Sequence, residues 1–335
     1  MNQALRSLLD YRVVIVTGKG GTGKTSVAAC LAEAACNAGR RVLLAETAAT
    51  EAVAGYFEER PEPLGYAGRE LRPNLHAMRI EPHDALADYL GLQTGLRRIA
   101  ERVLRTDTFQ QLLEAVPGWR ELIILGKVWH IEQKRDASQR PVHDLIVVDA
   151  PATGHGLTFL DVPRVVQQAV RAGPLSKHAG WVESLIHDRE RTLLLPVTLP
   201  EELPVLETVE LIERARGEID IGVDRIVVNA MPSRRAKRLT PILDGLPDSL
   251  PLEALPPVPV LRELLIHAEI REALAFRERE QVSKLCELPV VDLPYSPTSL
   301  ADPAEWQRLV DAILRDAVWP GPDDSAAPAR DEARR

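Results

Sequence analysis

Residues Gly18-Lys19-Gly20-Gly21-Thr22-Gly23-Lys24-Thr25 satisfy the spacing G-x-x-x-x-G-K-[ST], and Ser26 opens the helical stretch SVAACLAEAACNAG. Glycines let successive backbone N–H groups converge on phosphate oxygens, and a helix N-terminus adds unpaired N–H groups and a favourable dipole. At this spacing Lys24 reaches the β- and γ-phosphates of a nucleotide, and the Thr25 hydroxyl suits Mg2+. A chance match in a glycine-rich turn is the competing account. Against it stand the apolar run RVVIVT (Arg12 to Thr17) before the loop and the helix after it, the context this motif requires. Lys19 adds a second cation one residue after the first glycine. It would lie along the loop mouth, where a facing subunit could receive it and where a cation stabilises transition-state charge. In any other loop it would be a solvated lysine.

A second chemical signal is Leu145-Ile146-Val147-Val148-Asp149, an apolar strand ending in a carboxylate. Many strands end in Asp to cap a turn. Downstream of a phosphate loop, the same arrangement holds Mg2+ or its water, so Thr25 and Asp149 are the candidate metal ligands. The loop Ala150-Pro151-Ala152-Thr153-Gly154-His155-Gly156 then reads as a segment able to sense a γ-phosphate, with His155 either a switch contact or a helix-start residue.

The elements that must position these residues follow from the apolar pattern. Short β-branched runs at Arg12 to Thr17, Arg41 to Thr47, Asp144 to Ala150, Thr192 to Thr198, Asp224 to Ala230 and Leu288 to Leu293 alternate with helical stretches. Near-continuous apolar strands separated by helices predict an α/β fold with a mostly parallel sheet covered on both faces. Residues 58–143 are too many for one crossover and contain patterns such as DALADYLGLQTGLRRIAERVL, which predicts an inserted helical subdomain. A further helical insertion is expected around 157–191. The sheet domain is therefore discontinuous, 12–57 and 144–317, and the proline-, alanine- and charge-rich stretch 318–335 reads as a disordered tail.

Composition excludes several other classes. With 335 residues, 45% apolar and 27% charged, the chain is long enough for a sizeable core and is neither collagen-like nor wholly disordered. A formal net charge of −8 gives no reason to expect nucleic-acid binding. Cys30, Cys36 and Cys286 form no C-x-x-C or C-x-H spacing, so neither a disulfide framework nor a zinc site is indicated, and a reducing cytoplasm fits best. No leader pattern and no run of about 18 apolar residues is present, so neither export nor a membrane span is expected.

Together, GKGGTGKTS and VVDAPATGHGL resemble the ArsA family of deviant phosphate-loop ATPases, over about residues 12–317. That family includes arsenical pump-driving and tail-anchored-protein-targeting ATPases and is related to MinD and the nitrogenase iron protein. The resemblance implies a phosphate-loop NTPase that uses ATP and Mg2+ and works as a dimer, either a homodimer or a heterodimer with a paralogue. Lys19 would be the signature lysine acting across the interface. The nucleotide would contact Gly18, Gly20, Gly21, Thr22, Gly23, Lys24, Thr25 and Ser26. The family's adenine pocket would fall on Asn229, in IVVNAMP, and on Pro294 with Tyr295, in VVDLPYSP.

Three departures from that family shape the functional expectation. Ala48 stands where the family's first switch carries the aspartate that orients the attacking water, so hydrolysis is slow or Glu46 or Glu51 takes that role. Cys30 and Cys36, six apart on one helix, do not share a face, which counts against a metalloid site. The paired zinc cysteines of the targeting ATPases are missing, and with three methionines the chain is poor in the residue that lines promiscuous apolar grooves. The leading expectation is a cytoplasmic Mg-ATPase, with Lys19, Lys24 and Glu46 as the catalytic set, that changes shape to act on a protein client or membrane partner. The alternatives are a nucleotide-gated regulatory protein with little hydrolysis and a MinD- or ParA-like positioning ATPase.

Overall fold

The computed structural model of the chain describes residues 7–48, 50–94, 102, 104, 106, 118–151, 156–169, 173–248, 250, 255–296 and 302–317. The expected tail 318–335 and the residues around His155 (152–155) lie outside the described residues. Eight strands form one sheet: β1 (Val13–Thr17), β2 (Val42–Glu46), β3 (Arg69–Arg72), β4 (Leu75–Arg79), β5 (Leu145–Asp149), β6 (Thr192–Thr198), β7 (Ile226–Met231) and β8 (Val290–Pro294). Their spatial order is β3-β4-β2-β5-β1-β6-β7-β8. Every neighbouring pair is parallel except β3 with β4. From β1 the chain builds β2, β4 and β5 on one side, then crosses over to β6, β7 and β8. β1 thus sits where the winding reverses, the position at which open α/β sheets bind ligands beyond the C-terminal strand ends.

Each of the five residues of β1, β2 and β5 is buried, as strands covered on both faces require. One face presents Val14, Val16, Leu44 and Val147 to α1 (Lys24–Asn37) and to α9 (Pro303–Ala317). Ala28, Ala29, Ala32, Ala34 and Ala35 make α1 slim enough to lie close against the sheet. The other face presents Val13, Ile15, Ile146 and Val148 to a helical layer. That layer comprises α2 (Pro82–Thr94), α3 (Trp119–Glu132), α4 (Gly156–Ala169) and α5 (Pro174–His187), which pack on one another. Farther along, α6 (Glu202–Arg214) and α7 (Ala236–Asp244) both pack on the long α8 (Val258–Cys286). Burying one valine or leucine side chain contributes about 1.5–3 kcal/mol, so the central strands anchor the fold and the loops at their ends are free to carry chemistry.

The stretch 58–143 differs from its purely helical expectation. It opens with β3 and β4, and β4 pairs in parallel with β2 from Val42↔Leu75 to Glu46↔Arg79, so the sheet continues where only helix was expected. The reason lies in their sequences. RELR is the edge strand, where charge blunts further pairing, and LHAMR lies next to it, paired on both sides; in both, polar or charged residues break the apolar run that signals a buried strand. Helix begins only at Pro82. Among the described residues no helix is long and apolar enough to cross a membrane.

Candidate functional site

The C-terminal ends of β1, β2, β5, β6, β7 and β8 share one edge of the sheet, and the loop after β1 lies at its centre. Gly23 ends that loop in a left-handed conformation, φ 84°, and α1 starts at Lys24 with no side-chain cap on its first N–H groups. A Cβ at Gly23 would stand 2.2 Å from the Asn229 amide nitrogen, and one at Gly18 would stand 2.2 Å from the Val197 carbonyl oxygen. At Gly18 the approach of backbone requires glycine, and at Gly23 the left-handed backbone angle does, with the Asn229 side chain adding a contact that would have to shift. The Lys24 ammonium curls back to donate to the Lys19 carbonyl at 2.9 Å. Burial pushes its pKa down while Asp149 pulls it back up. Uncapped helix N–H groups and a lysine folded over a glycine turn form a cradle for phosphate oxygens.

Beside the cradle, β2 and β5 place Glu46 directly opposite Asp149. The Thr25 hydroxyl donates to Asp149 Oδ2 at 2.7 Å, and Thr47 donates its hydroxyl to the Asp149 carbonyl at 2.7 Å. Glu46 Oε1 accepts from the Ala52 and Val53 amides at 2.6 and 3.2 Å. The remaining oxygens, Asp149 Oδ1 and Glu46 Oε2, are buried without a hydrogen-bond partner. Burial raises both carboxyl pKa values, countered at Asp149 by Thr25 and Lys24 and at Glu46 by the two amides. Two such orphaned oxygens beside a threonine hydroxyl are a hard oxygen donor set of the kind that suits Mg2+, so the residues fit that ion.

On the other flank, Asn229 donates its amide to the Thr22 carbonyl at 2.9 Å, tying β7 to the phosphate loop. The β7–β8 register shifts between Val228 and Met231, and Ala230 takes φ 56°, so the chain turns sharply at the strand end. Ser26, Asn229, Pro294 and Tyr295 line one recess of about 190 Å³, floored by Val27, Cys30 and Leu309. The structure thus brings together, next to the cradle, Asn229, Pro294 and Tyr295, the residues on which the family resemblance places an adenine pocket.

Two expected residues sit differently. Lys19, expected to face a second subunit, pairs within the chain with Glu207 on α6, both side chains half-exposed. Glu51, one of two substitutes for the switch aspartate, accepts from the Leu64 and Gly65 amides at 2.8 and 3.2 Å and so anchors the loop ahead of β3. Of the two acids, Glu46 is the one beside Asp149. Cys30 and Cys286 are buried and Cys36 is half-buried. Burial raises the Cys36 thiol to about 12 and the Cys286 thiol to about 11, which suits packing rather than ligation. Glu207 escaped sequence reasoning because only the neighbouring of β1 and β6 brings α6 to the loop.

The family model for anion-transporting ATPases (ArsA) matches residues 11–179, which span the phosphate loop, Glu46 and Asp149. Among curated proteins, the chain is 34% identical over 225 residues to the ATPase BagA of Mycobacterium tuberculosis, covering 66% of this chain and 66% of that protein. It is 30% identical over 218 residues to the ATPase GET3 of Chaetomium globosum, covering 62% and 61%. To an ATPase ASNA1 homolog of Entamoeba dispar it is 26% identical over 255 residues, covering 64% and 75%. The aligned regions of the first two therefore span just under two thirds of those relatives.

Proposed function

The chain belongs to the anion-transporting (ArsA) ATPase family, and from that premise we propose that it binds ATP with Mg2+ and hydrolyses it as a dimer whose change of shape acts on a partner. The reading rests on one observation above others. The glycine cradle, the Lys24 ammonium and the Thr25–Asp149 hydrogen bond converge at the strand edge where the sheet's winding reverses. Backbone N–H groups of the loop and of the first α1 turn would hold the phosphates, with Lys24 neutralising charge on the transferred group. Mg2+, held by Thr25 and Asp149, would offset charge on the β- and γ-phosphates. Asn229, Pro294 and Tyr295 would enclose the base. The exposed Lys19–Glu207 pair leaves Lys19 exchangeable, since such a pair contributes at most about 1 kcal/mol. It can therefore exchange Glu207 for phosphate across a dimer of two copies or of paralogues. Lys24→Ala is expected to abolish ATP turnover, measured as phosphate release; turnover that survives it would sink the proposal.

A second reading, a nucleotide-gated binding protein with little hydrolysis, is favoured by Ala48 and by the tethering of Glu46 Oε1 to two amides. Single-turnover hydrolysis measured beside ATP binding separates the two. Tight binding without phosphate release assigns the second reading. Glu46→Gln with unchanged binding and lost release assigns Glu46 to the water.

A further inference from the structure

The helical layer contains a cavity of about 180 Å³ away from the phosphate loop, between α2, α3 and α5. Tyr89, Trp129, His178 and Trp181 face into it, with Ile123 and Ala85 closing the apolar side. Trp129 and Trp181 stack at 4.9 Å between ring centroids with 10° between their planes. The Tyr89 ring lies 4.7 Å from the His178 ring. Trp181 is 46% exposed although it belongs to this cluster, so it stands at the mouth.

His178 shows that the cavity is built rather than left over. His178 is 6% exposed, and its ring lies against those of Tyr89, Trp129 and Trp181. A Cβ at position 126 would fall 2.2 Å from His178 Nε2, so Gly126, in the middle of α3, makes the space the ring occupies. Glycine inside a helix is unfavourable relative to alanine, and here the space it leaves is filled by a polar ring instead of an aliphatic side chain. Burial and the nearby His130 push the imidazole pKa down, so at neutral pH it carries one N–H donor and one bare nitrogen acceptor. The charged lining is already balanced: Lys127 pairs with Asp88 at 2.7 Å, and the Tyr66 hydroxyl reaches the same carboxylate at 2.5 Å.

We propose that this cavity is a binding site for a small planar aromatic molecule, its ring against Trp129, Trp181 and Tyr89 and its polar group hydrogen-bonded to His178. Flat aromatic walls favour offset or edge-on ring contacts over aliphatic bulk. A largely apolar recess with one or two convergent polar groups is the usual form of a small-molecule site. The balanced Lys127–Asp88 pair leaves no net charge for an ionic ligand to neutralise, which selects a neutral ring.

The test titrates the full chain with indole, using calorimetry and tryptophan emission. The Lys24→Ala chain without nucleotide is titrated alongside, so that the outcome is independent of ATP chemistry. Saturable indole binding is expected in both chains. Cyclohexanol, polar but not planar, is expected to compete at least tenfold more weakly, and indole-3-acetate, which brings an unmatched charge, also more weakly than indole. Trp181→Ala, at an exposed position that leaves the core intact, is expected to weaken indole binding tenfold or more by calorimetry. His178→Leu, which keeps the volume but not the hydrogen bond, is expected to remove the preference for indole over toluene. The proposal is overturned if indole fails to saturate at millimolar concentration, if cyclohexanol competes equally, or if Trp181→Ala binds indole unchanged.

Discussion

At the phosphate loop, several polar groups are held by backbone only a few residues away in the chain: Lys24 by the Lys19 carbonyl, Glu46 by the Ala52 and Val53 amides, Ser26 by the Gly23 carbonyl. In the helical layer, Tyr89, Trp129, His178 and Trp181 come from three helices, and ring contacts alone link them. The first arrangement is preorganised by short-range geometry that a few residue types dictate. The second depends on how helices pack, so its residues carry no common spacing. The contrast predicts that single substitutions at the loop act on chemistry in an all-or-none manner, while those in the helical layer act by degrees.

After the loss of turnover expected of Lys24→Ala, the largest effect is expected from Asp149→Asn. It keeps the shape and the Thr25 contact but removes the charge beside an orphaned buried oxygen. ATP turnover should fall by about 10²-fold or more, the scale seen when a positioned electrostatic group is lost. Thermal stability should hold or rise, because the buried carboxylate, whose pKa burial raises, is costly when charged. A variant that loses stability and turnover together would mean that this corner is structural first, and the contrast would fail there.

Next in size is Gly23→Ala. The added Cβ meets the Asn229 amide at 2.2 Å and must adopt φ 84°. The strain alone is on the order of 1–3 kcal/mol. Denaturant unfolding of Gly23→Ala, Asn229→Ala and the double variant measures how far the two sites are coupled. The double variant is expected to recover part of the clash but none of the backbone strain. Full recovery would show that contact, not conformation, fixes glycine there.

Legibility in the sequence follows the same division. Gly18 to Ser26, Asp149 and the order of apolar strands were readable because each is a local pattern with a physical cause: backbone approach, a strand ending in a carboxylate, burial on both faces. Asn229 and Pro294 were placed through family likeness, and the structure sets both on one recess beside the loop. β3 and β4 were not readable, because β3 is a charged edge strand and His76 and Arg79 interrupt the apolar run of β4. Neither was Glu207, whose meeting with Lys19 spans 188 positions and depends on the order of strands across the sheet. The aromatic cavity was invisible for the same reason: its two tryptophans lie 52 positions apart, and only the packing of α3 on α5 brings them face to face.

A smaller, graded effect belongs to His143, at the start of β5 and under the helical layer. Burial is the first cause of its pKa falling to about 4, with His76, Lys134, Arg41 and Arg12 adding repulsion. The unfolded chain binds this proton near the ordinary pKa of about 6.5. The stabilising contribution of the neutral ring is therefore complete above that value and is lost as pH falls toward 4. Melting temperature measured from pH 7 down to pH 4 should drop less steeply in His143→Gln than in the parent chain. Parallel slopes would remove His143 from the account.

The smallest effect on stability is expected from Glu207→Gln, and it bears most directly on how the loop meets its surroundings. Lys19 and Glu207 are both half-exposed, so breaking their pair should change unfolding free energy by less than about 1 kcal/mol, with even that difference fading in salt. If the pair holds Lys19 away from phosphate, releasing it should raise turnover per site or lower the protein concentration at which turnover becomes maximal. Lys19→Ala should abolish that gain. A Glu207→Gln chain with parental turnover at every protein concentration would instead make the pair a surface contact of no consequence. The proposed chemistry of the loop would then rest on Lys24 and on the Thr25–Asp149 pair without help from Lys19.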